Sequence, residues 1–258
     1  MIILLSPSKG QNFDQTATKD HSQPQLLSQS QKLIAALKPM GQADIKDLMT
    51  ISDSLAELNY QRVQEFSTPF KLGKAKQAVL AFKGDVYNGL DADTLNPADL
   101  KFAQKHLRIL SGLYGYLRPL DLIMPYRLEM KTKLATKDAK DLYSFWDTTL
   151  TDCINKELTA DDVVINLASN EYYKAIQPKS LKAPVINVQF KDEKDGKSRV
   201  IAIFAKIARG AMARAIIKNK ITEVDNIKKL IVDDYRYQKS LSDELNWTFT
   251  RKQPPPKS

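Results

Sequence analysis

Three short stretches hold residue types that can handle protons and anions. In "LAFKGDVYNGL", Lys83, Gly84, Asp85 and Tyr87 follow an apolar run. A cation and a carboxylate next to a flexible glycine can place an acid, a base and a positive charge around one pocket. Asp85 could equally cap the helix that follows, with Tyr87 packed beneath it. In "LLSPSKGQNF", Ser6, Ser8, Lys9 and Gly10 follow another apolar run. Hydroxyls, backbone N–H groups and a lysine at the C-terminal end of a strand can converge on an anion. The GxxxxGK[ST] spacing is absent, so this is no P-loop, and an ordinary strand-exit loop has the same look. In "INLASNEYYKAI", Asn166, Ser169, Asn170, Glu171 and Tyr172 lie at a third such exit. Ser169 or Asn170 also suits the start of a helix.

Other chemistries lack their parts. The two histidines, His21 and His106, are far apart in sequence and neither stands near a nucleophile, so a Ser-His-Asp set is not expected. The one cysteine, Cys153, falls within an amphipathic helix pattern, which speaks against a thiol nucleophile. No site built from Cys or His ligands can be assembled, and no metal or other cofactor is expected.

A second group of residues suggests a polyanion. "LRILSGLYGYLRPLDLIMPYRLEM" carries Gly112 and Gly115 after a helical pattern. A Gly-apolar-x-Gly turn of a helix-hairpin-helix element lets backbone N–H groups approach a phosphate. Leu113 would be its buried apolar residue, and Lys105, Arg108 and Arg118 would supply charge. Pro119 follows at once, holding Arg118 extended and restarting the chain as a short helix that Pro125 interrupts. In "YRLEM", Tyr126, Leu128 and Met130 alternate with Arg127 and Glu129, as on a half-buried strand that presents the charged pair together. In "FAKIARGAMARAIIKNK", Lys206, Arg209 and Arg214 form a basic stripe beside an apolar one, and Gly210, Ala211 and Ala213 would let another backbone come close.

These residues need a scaffold, and the chain is long enough to build one. It has 258 residues, 43% hydrophobic and 27% charged, which suits a soluble domain with a real core. The expectation is one α+β domain over residues 1–252, an irregular mixed sheet surrounded by helices, with a disordered tail at 253–258. The net charge of +9 favours nucleic acid, nucleotides or another polyanion as partner. No apolar run approaches the roughly 18 residues that span a bilayer, and "MIILLSPSKG" lacks the features of a signal peptide. A cytoplasmic monomer without membrane contact is expected.

Strands are expected at "IILLS", "QAVLAF", "DVVINLAS" and "LNWTFTRK", with a hairpin around Asp195-Gly196. Helices are expected at "QLLSQSQKLIAALK", twice in "ADIKDLMTISDSLAELNYQRVQEF", from Pro97 through Leu110, over "DLYSFWDTTLTDCINKEL", at "EYYKAIQP", in the basic stripe and at "EVDNIKKLIV".

Taken together and in order, "LLSPSK", "LAFKGDVYNGL", "AQKHLRILSGLYGYLRPLDLIMPYRLEM", "DLYSFW", "VINLASNEYYKAI" and "FAKIARGAMARAII" resemble the YaaA peroxide-stress family of bacterial proteins. The resemblance implies a cytosolic protein that helps cells survive hydrogen peroxide, with lower free iron and less Fenton damage to DNA. It also implies DNA binding through a positively charged cleft and a helix-hairpin-helix element whose glycines map to Gly112 and Gly115. The scarcity of Cys and His makes any effect on iron indirect.

The residues therefore support backbone-directed, non-specific binding of duplex or branched DNA by Lys9, Lys83, Lys105, Arg108, Gly112, Gly115, Arg118, Arg127, Lys206, Arg209 and Arg214. The rival is an enzyme for a nucleotide or other small anion, using Ser6, Lys9, Lys83, Asp85, Arg118, Arg127 and Glu171 around a single pocket to which Glu129 and Ser169 could also belong. A shallow basic groove would favour the first, convergence in one pocket the second.

Overall fold

The four residues of "IILL" form a strand without polar interruption, so both of its faces must be covered. In the computed structural model, which describes residues 1–14 and 18–254, this strand is β1 (Ile2–Leu5), with each residue at most 4% exposed. Such continuous burial is typical of a parallel strand inside a sheet. The chain continues through β2 (Gly10–Gln11), α1 (Leu27–Leu37), α2 (Gln42–Met49), α3 (Asp53–Glu65), β3 (Lys76–Gln77), α4 (Ala78–Ala81), β4 (Phe82–Lys83), α5 (Asp85–Leu90) and α6 (Pro97–His106). Next come β5 (Leu107–Ser111), β6 (Gly115–Leu117), β7 (Leu122–Ile123), α7 (Leu142–Trp146), α8 (Thr149–Glu157), β8 (Val164–Asn166) and α9 (Asn170–Tyr173). The last elements are β9 (Val185–Lys194), β10 (Lys197–Arg199), α10 (Ala202–Lys218), β11 (Arg236–Tyr237) and β12 (Asn246–Lys252).

The fold is α+β, with a mixed sheet of eight strands among the described residues. Its order is β11-β12-β9-β8-β1-β5-β6, with β10 added on β9. The five strands β12, β9, β8, β1 and β5 run parallel, and the outer pairings β5–β6, β11–β12 and β9–β10 are antiparallel. Strand β1 pairs with β5 on one side, Ile3 opposite Leu107, and with β8 on the other, Ile2 opposite Val164. The chain thus leaves β1 in one direction and later returns on its other flank. That reversal opens a crevice beyond the carboxyl ends of β1 and β8, where open sheets tend to hold ligands.

Several elements depart from the sequence expectation, each for a local reason. "QAVLAF" is not a strand. Gln77 and Phe82 sit in two short antiparallel ladders, and the wholly buried Ala78–Ala81 between them turns once as α4. An apolar run this short has no period to separate the two states. The helix from Pro97 stops at His106, because Leu107–Ser111 is claimed by pairing with β1. The expected helix at 142–158 is two helices, broken at Asp147, which has a φ of 38°. The segment from Val224 to Lys229 is a 3-10 helix. The hairpin does turn at Asp195-Gly196, both with positive φ, but its second arm ends at Arg199 and "AIFA" joins α10. No helix starts at Pro119; β7 follows there instead. In the expected disordered tail, the Gln253 N–H donates to the Glu193 carbonyl at 2.9 Å, and residues 255–258 lie outside the described residues.

Helix α10 crosses α5 at backbone contact. A Cβ on Gly210 would lie 1.8 Å from the Val86 carbonyl oxygen, and one on Gly89 would lie 2.0 Å from that of Ile207. The small residues of the basic stripe therefore admit a neighbouring helix of the same chain. This crossing sets Lys206 beside Asp85 and brings Arg209 to the same cleft. Gly210→Ala should lower unfolding stability by roughly 3 kcal/mol, the upper range for forcing a methyl into packed structure. Urea denaturation checks this, and an unchanged midpoint would show that the helices can separate freely.

Candidate functional site

The three stretches at strand ends meet. They form the walls of one cleft of about 520 Å³, lined among others by Ser6, Lys9, Lys83, Asp85, Glu129, Ser169, Glu171, Lys206 and Arg209. Residues from both ends of the chain and its middle converge there because β1 and β8 are neighbours in the sheet. The Ser169 N–H donates to Ser6 Oγ at 2.8 Å, which ties the two exits together. Ser169 stands at the start of α9, but its side chain faces Ser6 Oγ at 3.3 Å instead of capping that helix. Tyr87, buried beneath the loop, donates its hydroxyl to the Ser6 carbonyl at 3.1 Å. Burial holds the Tyr87 hydroxyl well above the ordinary tyrosine range. Its role is support.

Strand pairing delivers Lys83. Gly10 lies opposite Lys83 in the β2–β4 ladder, and Ser8 Oγ hydrogen-bonds the Lys83 carbonyl. Gly84 follows with φ of 120°, where a Cβ would sit 2.9 Å from Ser8 Oγ. Glycine's freedom is required for this approach. Asp85 does not cap α5 through its side chain; it faces Lys206 at 3.6 Å from α10.

The extended run Tyr126–Met130 keeps the expected alternation without joining a ladder. Tyr126, Leu128 and Met130 are buried, while Arg127 and Glu129 pair at 3.3 Å. Glu129 also meets Lys9 at 3.1 Å and Lys131 at 3.6 Å. Lys131, which also lines the cleft, lies one step beyond the stretch singled out in the sequence, and continuing its alternation would have found it. Arg127 itself lines two smaller crevices beside the cleft. Glu171 accepts from the Lys131 N–H at 3.3 Å.

Cations and carboxylates in this lining largely satisfy one another. Glu129 is surrounded by three cations, Asp85 holds Lys206, and Lys83 reaches out to Asp93 at 2.6 Å. Arg209 differs. Among the described residues it has no hydrogen-bond or ion-pair partner, and its Nε is buried without an acceptor. Burial lowers its pKa from the ordinary arginine value. An N–H buried without an acceptor costs about 1–3 kcal/mol unless a ligand supplies one.

The remaining expected DNA contacts lie elsewhere. Gly112 and Gly115 flank a strand–turn–strand, β5 to β6, so no helix-hairpin-helix is formed there. The turn is buried: Leu113 and Tyr114 are at most 1% exposed, and a Cβ on Gly112 would lie 2.2 Å from the Leu128 carbonyl oxygen. No phosphate can reach these amides without unpacking the core. Arg108 is buried and tied to Glu157 at 2.6 Å, and Arg118 to Asp121 at 2.9 Å. Arg214 donates to the Leu90 and Asp91 carbonyls at the end of α5. Lys105 lines a separate cavity with His21. Among the described residues, no group of three or more His, Cys, Asp or Glu side chains could hold a metal ion. No described helix is long and apolar enough to cross a membrane.

With this geometry in view, comparison with known proteins is informative. The family model described as peroxide stress protein YaaA matches residues 1–241. The chain belongs to the YaaA peroxide-stress family. A UPF0246 protein of Shewanella oneidensis is 50% identical over 254 residues, covering 97% of this chain and 99% of its own length. A UPF0246 protein of Acaryochloris marina is 49% identical over 251 residues, with 97% and 100% covered. One of Saccharophagus degradans is 49% identical over 256 residues, with 98% and 100% covered. The family name thus confirms the resemblance to a peroxide-stress protein that the sequence suggested.

Gly115 offers a direct check on the turn. It has φ of 68°, and a Cβ there would lie 2.7 Å from the Trp146 ring. Gly115→Ala should cost roughly 2–4 kcal/mol in folding stability through backbone strain and overpacking. Ligand affinity of the remaining folded protein should be unchanged. Denaturation together with binding corrected for folded fraction checks both, and selective loss of binding would restore the turn as a contact surface.

Proposed function

We propose that this protein serves cytoplasmic peroxide-stress defence by binding, and acting on, a small phosphate-bearing anion such as a nucleotide in the cleft beyond β1 and β8. The observation that carries this reading is Arg209, a guanidinium without hydrogen-bond or ion-pair partner among the described residues, at the wall of the cleft. An anion supplies the missing acceptor. A volume of about 520 Å³ suits a small-molecule ligand, and the crevice lies where open sheets bind them. Lys206 and Lys9 can add to the anion's field. Asp85, held at 3.6 Å from Lys206, is the group best placed to take or give a proton. Protection of DNA against iron-dependent damage then follows from the reaction product or from the bound ligand.

DNA binding is the second reading, favoured by the net charge of +9 and by exposed lysines at the cleft rim. The side chains of Lys9 and Lys131 are 58% and 65% exposed. On this reading rim lysines meet phosphates of a duplex or branched strand, with no base contacts and a steep salt dependence.

Calorimetry with nucleoside mono-, di- and triphosphates, and with a short duplex at about 50 and 200 mM salt, separates the two. Nucleotide binding should weaken about tenfold or more in Arg209→Ala, as expected for loss of charged hydrogen bonds worth roughly 1.5–3 kcal/mol. The melting temperature of the free variant should not fall, because the side chain has no partner to lose. Equal affinity of wild type and variant would refute the role of Arg209. Duplex binding that collapses with salt, without nucleotide binding, would assign the cleft to DNA.

A further inference from the structure

The buried face of α3 carries Ala56, Asn59 and Val63 at helical spacing. Asn59 spends its NH₂ on the Leu55 carbonyl at 2.7 Å, and its Oδ1 accepts from Arg62. That second contact is long, 3.4 Å, and Arg62 forms no ion pair with a described residue. A second guanidinium comes from the extended run Tyr126–Met130. The Gln11 amide donates to the Tyr126 carbonyl at 2.9 Å and accepts from the Tyr126 N–H at 3.1 Å, which fixes where Arg127 emerges. Arg127 donates to Glu129 at 3.3 Å, but Glu129 is shared with Lys9 and Lys131, and the Arg127 Nε is buried without an acceptor. Arg62 and Arg127 line one narrow crevice walled by α1, α3 and this run.

Two guanidiniums at one crevice repel each other, and partial burial strengthens the effect. The Arg62 pKa is lowered first by desolvation and then by the Arg127 charge. A water molecule in the crevice would satisfy an N–H but leave the repulsion. An anion answers both. We propose that this crevice binds one small monovalent anion of the halide class. Size and walls select that class. The space is about 10 Å³, which admits roughly one water-sized body. A phosphate or a nucleotide is too large, so the site is separate from the ligand of the cleft and does not depend on it. Ile34, Leu37, Val63, Phe66 and Leu128 form the apolar part of the wall. Apolar contacts cannot replace a strongly held hydration shell, so chloride or bromide is favoured over fluoride.

The test uses the full chain at constant ionic strength, with sodium bromide or sodium fluoride as the salt. General salt effects act alike on wild type and variant, so the two proteins are compared with each other. The melting temperature in bromide minus that in fluoride should be larger for wild type than for Arg62→Gln, a change that removes one cation and only a long hydrogen bond. In a crystal soaked in bromide, anomalous scattering should peak between the Arg62 and Arg127 side chains. Equal salt differences in the two proteins overturn the proposal, and a peak accompanied by equal differences marks an adventitious ion only. A difference lost in Arg209→Ala and kept in Arg62→Gln places the ion in the cleft and overturns it too. If Arg62→Gln does not fold, the bromide map of the wild type decides, and an empty crevice overturns the site.

Discussion

The arrangement depends on one strand. Ile2–Leu5 must be covered on both faces and paired on both edges, because a dry strand with an unpaired edge leaves backbone groups without partners. Parallel pairing to β5 and to β8 meets that need, and it fixes the rest. The two partners lie about a hundred residues and more along the chain from β1, so the intervening helices must pack on the sheet faces. The exits of β1 and β8 are then forced side by side. Ser6 and Ser169, far apart in sequence, become hydrogen-bond partners as a consequence of sheet order. The cleft is thus a product of topology before it is a product of side chains.

Charge placement shows where the scaffold is complete and where it is open. Removing a charge from water costs several kcal/mol after relaxation, so a stable interior holds pairs. Arg108 with Glu157, and Arg251 with Asp192, follow that rule deep in the sheet. Asp99 draws in Lys218, the last residue of α10, and Lys220 just beyond it, and these contacts hold its carboxyl well below the usual range. The Arg209 Nε does not follow it, and Arg209 lines the cleft.

Much of the site was legible in the sequence, because strand exits announce themselves. An apolar run followed by small polar residues and a lysine marks such an exit, and all three stretches of this kind do reach one cleft. The alternation in Tyr126–Met130 also placed Arg127 beside Glu129 correctly. What the sequence did not disclose is pairing. "LRIL" has no feature that separates the end of a helix from a strand; only the edge of β1 decides it. For the same reason the glycines that followed looked like a phosphate-binding turn, when they are the tight return of a buried hairpin.

Mixed charge in the cleft bears on the size of its ligand. A surface that tracks a nucleic-acid backbone gains by adding cations, and each buried carboxylate would repel a phosphate. Here Asp85, Glu129 and Glu171 line the cleft together with the cations, and Glu129 is held among three of them. That arrangement spends most of the positive charge locally and leaves one guanidinium unanswered. A ligand of one or a few anionic groups matches such a site, because it needs to meet Arg209 and little else. A long polyanion would have to displace the carboxylates or remain at the rim, where Lys9 and Lys131 are exposed and their hold is weak and screened by salt. The carboxylates in the lining thus weigh toward the proposed small anion and against a long polyanion inside the cleft.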